Sequence, residues 1–413
     1  MTKNLLLENL DQPEILEQAY RNSPQKFEVQ LKDAIEKNSD SEVLRVWSAR
    51  LSYCAPTSQK SISISLLIVL CLIAGIVTKM PFLFPIDSGW YYPRFTPLIV
   101  IAAVIAYFIK TNPASRKIQK VVITGLVASI VYLVALPNSN DSASITMALI
   151  HLPLFSLTLL AISFMSDNWR DAESRLNFIR YLGEMGIYSV LILLGGMVLT
   201  GVTLGLFNVI GLSIEQWYME YIVVLGLVSS PLVATYLFDS IQKRQSKFAA
   251  VLSNVFSPLF LITVLAYLVA TVYQGKSPFT DREFLIIFNG LLIVILALTI
   301  FSISGKKRAT GVTSSDYINV SLVSATLMVN IVALTAILFR WTEYGMTVNR
   351  IVVTGANILI FVHLILILRQ YISHIKHGEG VENLESTIAM YLPVYALWSL
   401  IVSVFLPLVF QFK

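Results

Sequence analysis

Charge is what this sequence has least of. Asp, Glu, Lys and Arg make up 13% of its 413 residues, about half the roughly 25% of an ordinary soluble domain. The deficit is unevenly spread: residues 1–60 hold 8 Lys/Arg and 9 Asp/Glu, leaving 22 basic and 16 acidic side chains for the other 353 residues. That excludes a soluble enzyme carried on a small anchor. Cysteine is almost missing as well. Cys54 and Cys71 fall before and within the first apolar run, which excludes a disulfide framework and leaves the redox compartment open. Residues 1–60 lack the short apolar core of a cleavable secretory signal. No Walker loop, Gly-x-Ser-x-Gly elbow or His-Glu-x-x-His occurs, nor any acidic cluster for a divalent ion. The sequence therefore offers no catalytic residue, no metal set and no cofactor site. The net charge of +5 is not gathered on one surface, as nucleic-acid binding requires.

What the chain has instead is length of apolar sequence, with 56% hydrophobic residues. A hydrocarbon core of about 30 Å takes about 20 helical residues to cross. Eleven stretches approach or exceed that length, at 62–78, 93–109, 118–136, 142–165, 182–211, 217–241, 249–273, 284–304, 317–339, 351–372 and 388–410. None alternates apolar and polar residues as barrel strands do. The expected fold is all-α: a polytopic transmembrane helix bundle of about 11 spans over residues 61–413, preceded by a small helical module over 1–60. In that module Ile15, Leu16 and Ala19, then Phe27, Leu31 and Ile35, then Leu44, Trp47 and Leu51 recur at helical spacing. Pro24 after Ser23 is a helix start.

Lys and Arg in short loops are retained on the cytoplasmic side. Placing the N-terminus inside collects 23 of the 30 basic residues there and leaves 7, among them Lys79, Arg94, Arg340, Arg350 and Lys413, on the other side. The expectation is a cytoplasmic N-terminus, an extracytoplasmic C-terminus and an odd number of spans. The bilayer is then one partner. The module, nearly neutral and short of the Lys/Arg clusters that adhere to anionic lipid, is expected to dock a protein through Trp47 and Leu51 or to cover the end of the first span.

Ionisable groups deep in a span are default functional pointers. His151, just before Pro153, and His363 both fall near mid-membrane and are candidates for binding or proton relay, against the simpler role of donating to a backbone carbonyl. Asn208, Asn254, Asn289, Asn330 and Asn357 are expected to bond between helices. Two successive spans share a Ser-Pro-Leu core, Ser230-Pro231-Leu232 and Ser257-Pro258-Leu259. Proline frees an upstream carbonyl, and paired interruptions expose backbone to substrate in transporters, so Ser230, Pro231, Asn254, Ser257 and Pro258 form a candidate substrate site. The competing reading is a pair of ordinary kinks. In the connection after the ninth span, Arg340, Glu343, Tyr344 and Arg350 crowd around Gly345, either as a paired rim or as a site for an anionic group. The fifth span carries seven of the 19 glycines, and Gly201-x-x-x-Gly205 reads as a helix-packing face. His374 and His377, three apart in the last loop, are too permissively spaced to argue for zinc.

Phe256-Ser257-Pro258-Leu259-Phe260 with Ala266-Tyr267-Leu268, Glu343-Tyr344-Gly345-Met346-Thr347 followed by Arg350, and Leu392-Pro393-Val394-Tyr395 resemble the bacterial integral-membrane family catalogued as domain of unknown function 4153. The resemblance covers roughly residues 180–413. It implies a bacterial cytoplasmic membrane and brings no catalytic residue. The function expected is permease-like transport of a small solute, ion or lipid. The alternative is a non-transporting scaffold or sensor; a membrane transferase for lipid-linked substrates would need interfacial carboxylates, and Asp87, Asp141, Glu215 and Glu220 are scattered singles.

Overall fold

The computed structural model describes residues 5–22, 24–38, 41–52, 64–112, 114–139, 142–209, 212–241, 244, 247–274, 282–306, 311–378 and 380–413. Ser23, Cys54 and Asp141, named above, lie outside them. The chain divides into two compact units, Met1–Ser61 and Ile62–Lys413.

The first unit holds α1 (Leu5–Glu8), α2 (Pro13–Asn22), α3 (Pro24–Lys37) and α4 (Glu42–Ser52). Their apolar faces close on one small core of Leu6, Leu16, Phe27, Leu31, Ala34, Leu44 and Trp47. Trp47 packs at 4.7 Å from Phe27 and 5.5 Å from Tyr20. The Arg50 guanidinium covers its outer face at 4.6 Å and pairs with Glu17 at 2.8 Å. Trp47 is thus largely enclosed in the module's own core.

The second unit is a polytopic helix bundle. It comprises α5 (Ile64–Thr78), α6 (Met80–Leu83), α7 (Ser88–Thr111), α8 (Arg116–Ala135), α9 (Ala143–Met165), α10 (Ala172–Val209), α11 (Glu215–Trp217), α12 (Val224–Tyr236), α13 (Phe248–Gln274), α14 (Arg282–Ser304), α15 (Ser314–Tyr344), α16 (Val348–His377), α17 (Val381–Leu400) and α18 (Leu406–Val409). Wider π turns at Tyr218–Val223, Leu237–Ile241 and Ile401–Phe405 join α11 to α12, extend α12 and join α17 to α18. Among the described residues ten helices are long and apolar enough to cross a membrane, and α5 is a shorter apolar helix of 15 residues.

Local chemistry sets the helix starts. Asp87, Ser115 and Ser142 accept from the backbone N–H groups of Trp90, Ile118 and Ile145, and Thr313 with Asp316 forms a capping box on α15. Several apolar cores result, two of them large. One core gathers Ile105, Tyr107, Phe108, Leu160, Phe164, Tyr181 and Phe238; the other gathers Leu292, Val323, Leu364, Ile367, Leu384 and Ile388. Helix α9 packs on α7 and α8 of the first and on α16 and α17 of the second.

The helix ends gather at two faces. Asn112 donates to the carbonyl of Phe164 at 2.7 Å, Tyr107 donates to Asp239 at 2.9 Å and Lys306 donates to Asp316 at 2.6 Å, defining a charged face. Tyr91 donates to Val77 O at 2.6 Å, Arg94 to Pro137 O at 2.8 Å and Ser144 N to Lys413 O at 3.0 Å, defining the opposite face.

Candidate functional site

Three prolines line a gap in the bundle at the opposite face. Pro93 and Pro97 lie in the first turns of α7 and Pro153 lies in α9. Each removes a helical donor and holds its ring against the preceding turn, and all three face the gap between α7 and α9. Between them is a cavity of about 660 Å³, within the range of small-molecule sites. Its walls are mostly apolar: the three prolines, Ile145, Leu149 and Ile150, with Ser139 and Thr146 as hydroxyl groups and Arg94 as the charge. Pro93, Thr146 and Ile150 are exposed, so the cavity opens sideways as well as toward the face.

Arg94 is only 5% exposed. One terminal nitrogen donates to Pro137 O at 2.8 Å and more weakly to Leu136 O at 3.5 Å; the other reaches Trp90 O at 3.4 Å. The guanidinium carbon stands 5.1 Å from the Trp90 ring centre. Nε is buried and has no partner. The Leu136 and Pro137 carbonyls close the C-terminal end of α8, where the helix dipole favours a cation. Among the described residues no carboxylate pairs with Arg94, which is a buried cation offset only by dipoles.

The charged face is built the other way. Arg244 pairs with Asp239 at 2.5 Å and donates to Asn112 Oδ1 at 3.2 Å. Arg180 pairs with Glu385 at 3.1 Å and donates to Ser304 O. Lys306 joins Asp316 at 2.6 Å and His374 Nε2 at 3.0 Å. The three carboxylates are at most 6% exposed, and the pairs bind α7, α10, α12, α14, α15, α16 and α17 together. Below them Asn319 donates to Ser302 and Tyr371, and Ser302 donates to Asn254 Oδ1 at 2.8 Å.

Outside the spans, Asp167 takes the Ser115 hydroxyl at 2.6 Å and its N–H at 2.9 Å. The Ser115 hydroxyl, then its N–H, holds this carboxyl below the usual range.

The residues singled out in the sequence are dispersed. Ser230 is buried and donates to Leu227 O at 3.1 Å, Pro231 is half-buried with its carbonyl taken by Thr235 at 2.7 Å, and Ser257 is buried beside Pro258. Helix α12 packs on α5, α7 and α10, whereas α13 packs on α14 and α15. Helix α10 packs on both α12 and α13, so the two prolines lie on helices that flank the same neighbour, and Asn254 belongs to the network at the charged face. His151 borders the cavity's neighbour Ile150, but its Nδ1 meets Met147 O at 2.9 Å. His363 is stacked 4.2 Å from Tyr391, with Nδ1 2.8 Å from the Tyr395 hydroxyl. Asn357 donates to Asn289 Oδ1 at 2.9 Å and its carbonyl accepts from Asn330 at 3.2 Å, tying α14, α15 and α16.

In the connection before α16, Arg350 donates to the carbonyls of Tyr344 at 2.9 Å and Gly345 at 2.5 Å, instead of pairing with Glu343, which is exposed like Tyr344. Arg340 is half-buried. Gly201 and Gly205 are exposed, with no atom of a neighbouring helix within 4 Å of where a Cβ would sit. His374 turns inward to Lys306 while His377 stays exposed, so the two histidines part. Compared with known proteins, the chain matches no family model, no curated sequence and no solved structure.

Proposed function

We propose that this polytopic membrane protein is permease-like and moves a small solute, ion or lipid by one-sided access. The observation that supports this reading is an asymmetry. A cavity opens at one face between α7 and α9, while three ion pairs with buried carboxylates and partly exposed cations join the helices at the other face. A carrier needs a barrier on one side at a time, and ion pairs between helices are a barrier that can be broken and remade. In the orientation that the 23 to 7 partition of basic residues supports, the ion-paired face is cytoplasmic, with the N-terminus inside and the C-terminus outside. The resemblance to the family of unknown function 4153 supports a bacterial inner membrane and adds no activity.

The test is access behind the ion pairs. In a Cys54→Ser, Cys71→Ser background, a cysteine replacing Ser302 should react slowly with an impermeant maleimide added to the charged face, and severalfold faster when Glu385→Gln weakens the closure. No reaction in either protein over hours would mean a static bundle.

The scaffold or sensor reading has one observation of its own. The N-terminal unit has a complete small core, yet Ile15 and Val46 remain 39% and 65% exposed. They are the residues through which it would dock a protein. Loss of partners on deleting residues 1–52, with insertion intact, would favour this reading.

A further inference from the structure

We infer that the cavity between α7 and α9 binds a lipid-borne phosphate, its head on Arg94 and its chain along the proline-lined wall. Three independent features converge there. The first is the unneutralised guanidinium: Arg94 is 95% buried by its 5% exposure, lines the cavity, carries an Nε without a partner, and pairs with no carboxylate among the described residues. A buried charge is retained where something compensates it, and the carbonyls of Trp90, Leu136 and Pro137 supply dipoles only.

The second feature is the placement of two helix N-termini. Gly89 in the first turn of α7 and Thr146 in the first turn of α9 both line the cavity. The positive ends of both helix dipoles lie beside Arg94, while the first N–H groups of α9 are already taken by Ser142 and by Lys413 O. The nearby carboxylate, Asp87, is occupied in capping α7 through Trp90 N at 2.8 Å. The ligand's head is therefore an anion, and an arginine fork matches phosphate oxygens.

The third feature selects the source of that phosphate. Away from Arg94 the walls are Pro93, Pro97, Ile145, Leu149, Ile150 and Pro153. Ile150 is 52% exposed, at the point where the cavity opens sideways. From Gly89 to Pro97 the cavity runs about 12 Å along α7, at 1.5 Å per residue, most of the way to the middle of a leaflet pair about 30 Å thick. A free anion would be held at Arg94 but would leave the apolar walls without a partner. A phospholipid entering from the bilayer would satisfy both ends.

This inference deepens the permease reading by naming what the cavity holds, but binding and transport are read separately. The full chain is held in phosphate-free dodecylmaltoside micelles and given either phosphatidylglycerol or diacylglycerol of the same chains. Lipid retained per protein is then counted by native mass spectrometry. Phosphatidylglycerol should be retained over diacylglycerol by at least about tenfold, the worth of one charge-assisted hydrogen bond. Arg94→Gln should remove the preference and Arg94→Lys should keep part of it. Because Arg94→Gln also uncaps α8, Leu149→Trp serves as a second variant: it fills the cavity, leaves the guanidinium bonds in place and should lose the retained lipid. Equal retention in the wild type and both variants would overturn the site. Arg94-dependent binding of inorganic phosphate without retained phosphatidylglycerol would overturn the lipid source. Retained lipid in a protein whose Ser302 cysteine never reacts would leave the binding site standing and remove the transport reading.

Discussion

The indole of Trp398 lies directly against Gly355, where a Cβ on the glycine would overlap the six-membered edge of the ring. This contact sets how closely α16 and α17 approach. Gly355→Ala should push the ring aside and lower stability by about 1–3 kcal/mol, as overpacking does. Trp398→Leu in the same background should recover part of that loss. Unfolding in detergent measures both, and an unchanged midpoint for Gly355→Ala would mean the ring moves freely.

The Lys306–Asp316 pair is buried on both sides, with side chains 10% and 2% exposed. Lys306→Met should cost about 3–5 kcal/mol, because removing one partner strands the other charge. The value should fall at the lower end, since Asp316 keeps the Thr313 N–H at 2.7 Å and hydroxyl at 2.9 Å. Adding Asp316→Asn should restore most of the loss. Additive single effects in this double-mutant cycle would show that the two residues do not act as a pair.

Asp167 links the start of α8 to the end of α9 from outside the spans. Its carboxyl is held low in the folded protein, first by the Ser115 hydroxyl and then by the Ser115 N–H. A lowered folded-state value stabilises the link above the usual carboxylate range, and the contribution is lost as pH falls through that value. Ser115→Ala should move the Asp167 titration up toward the ordinary value of about 3.9. A carbon-detected NMR titration that shows no movement would assign the shift to another cause.

Gly345 carries φ +74° and ψ 179° at the end of α15, a region reserved for glycine. Gly345→Ala should cost about 1–3 kcal/mol. Arg350→Gln, which removes two exposed carbonyl contacts, should cost about 1 kcal/mol or less. If Arg350→Gln abolished a growth phenotype at unchanged stability, the arginine would be recognising a ligand there.

Single cysteines at Ser139 and Lys247, both exposed, decide the proposed orientation. In intact cells the first should react with an impermeant reagent and the second should not. The reverse pattern would invert the topology.

The span pattern was legible because it rests on composition over long windows. Helix α10 shows where such windows mislead: the apolar run begins near 182, yet the helix begins at Ala172, because Glu173, Arg175, Arg180 and Glu184 hide its first turns from hydropathy. Most of the site was not legible. The pairing of Arg180 with Glu385 spans 205 residues, and that of Tyr107 with Asp239 spans 132, so no local spacing announces them. Arg94 counted only as one loop charge on the less basic side; its burial depends on two carbonyls more than 40 residues away. The Ser-Pro-Leu repeat drew attention to Pro231 and Pro258, whereas the prolines that line the cavity are Pro93, Pro97 and Pro153. Sequence similarity between two kinks carries no information about whether their helices touch.

Helix α10 is 38 residues long. Near its base Arg180 and Glu184 are bonded to Glu385, Ser304 and the backbone of Ala249, while no residue of its most apolar stretch is buried. Among the described residues no atom of another helix lies within 4 Å of where a Cβ would sit at Gly195, Gly196, Gly201 or Gly205, so along that end of α10 it is the surrounding lipid that meets the helix.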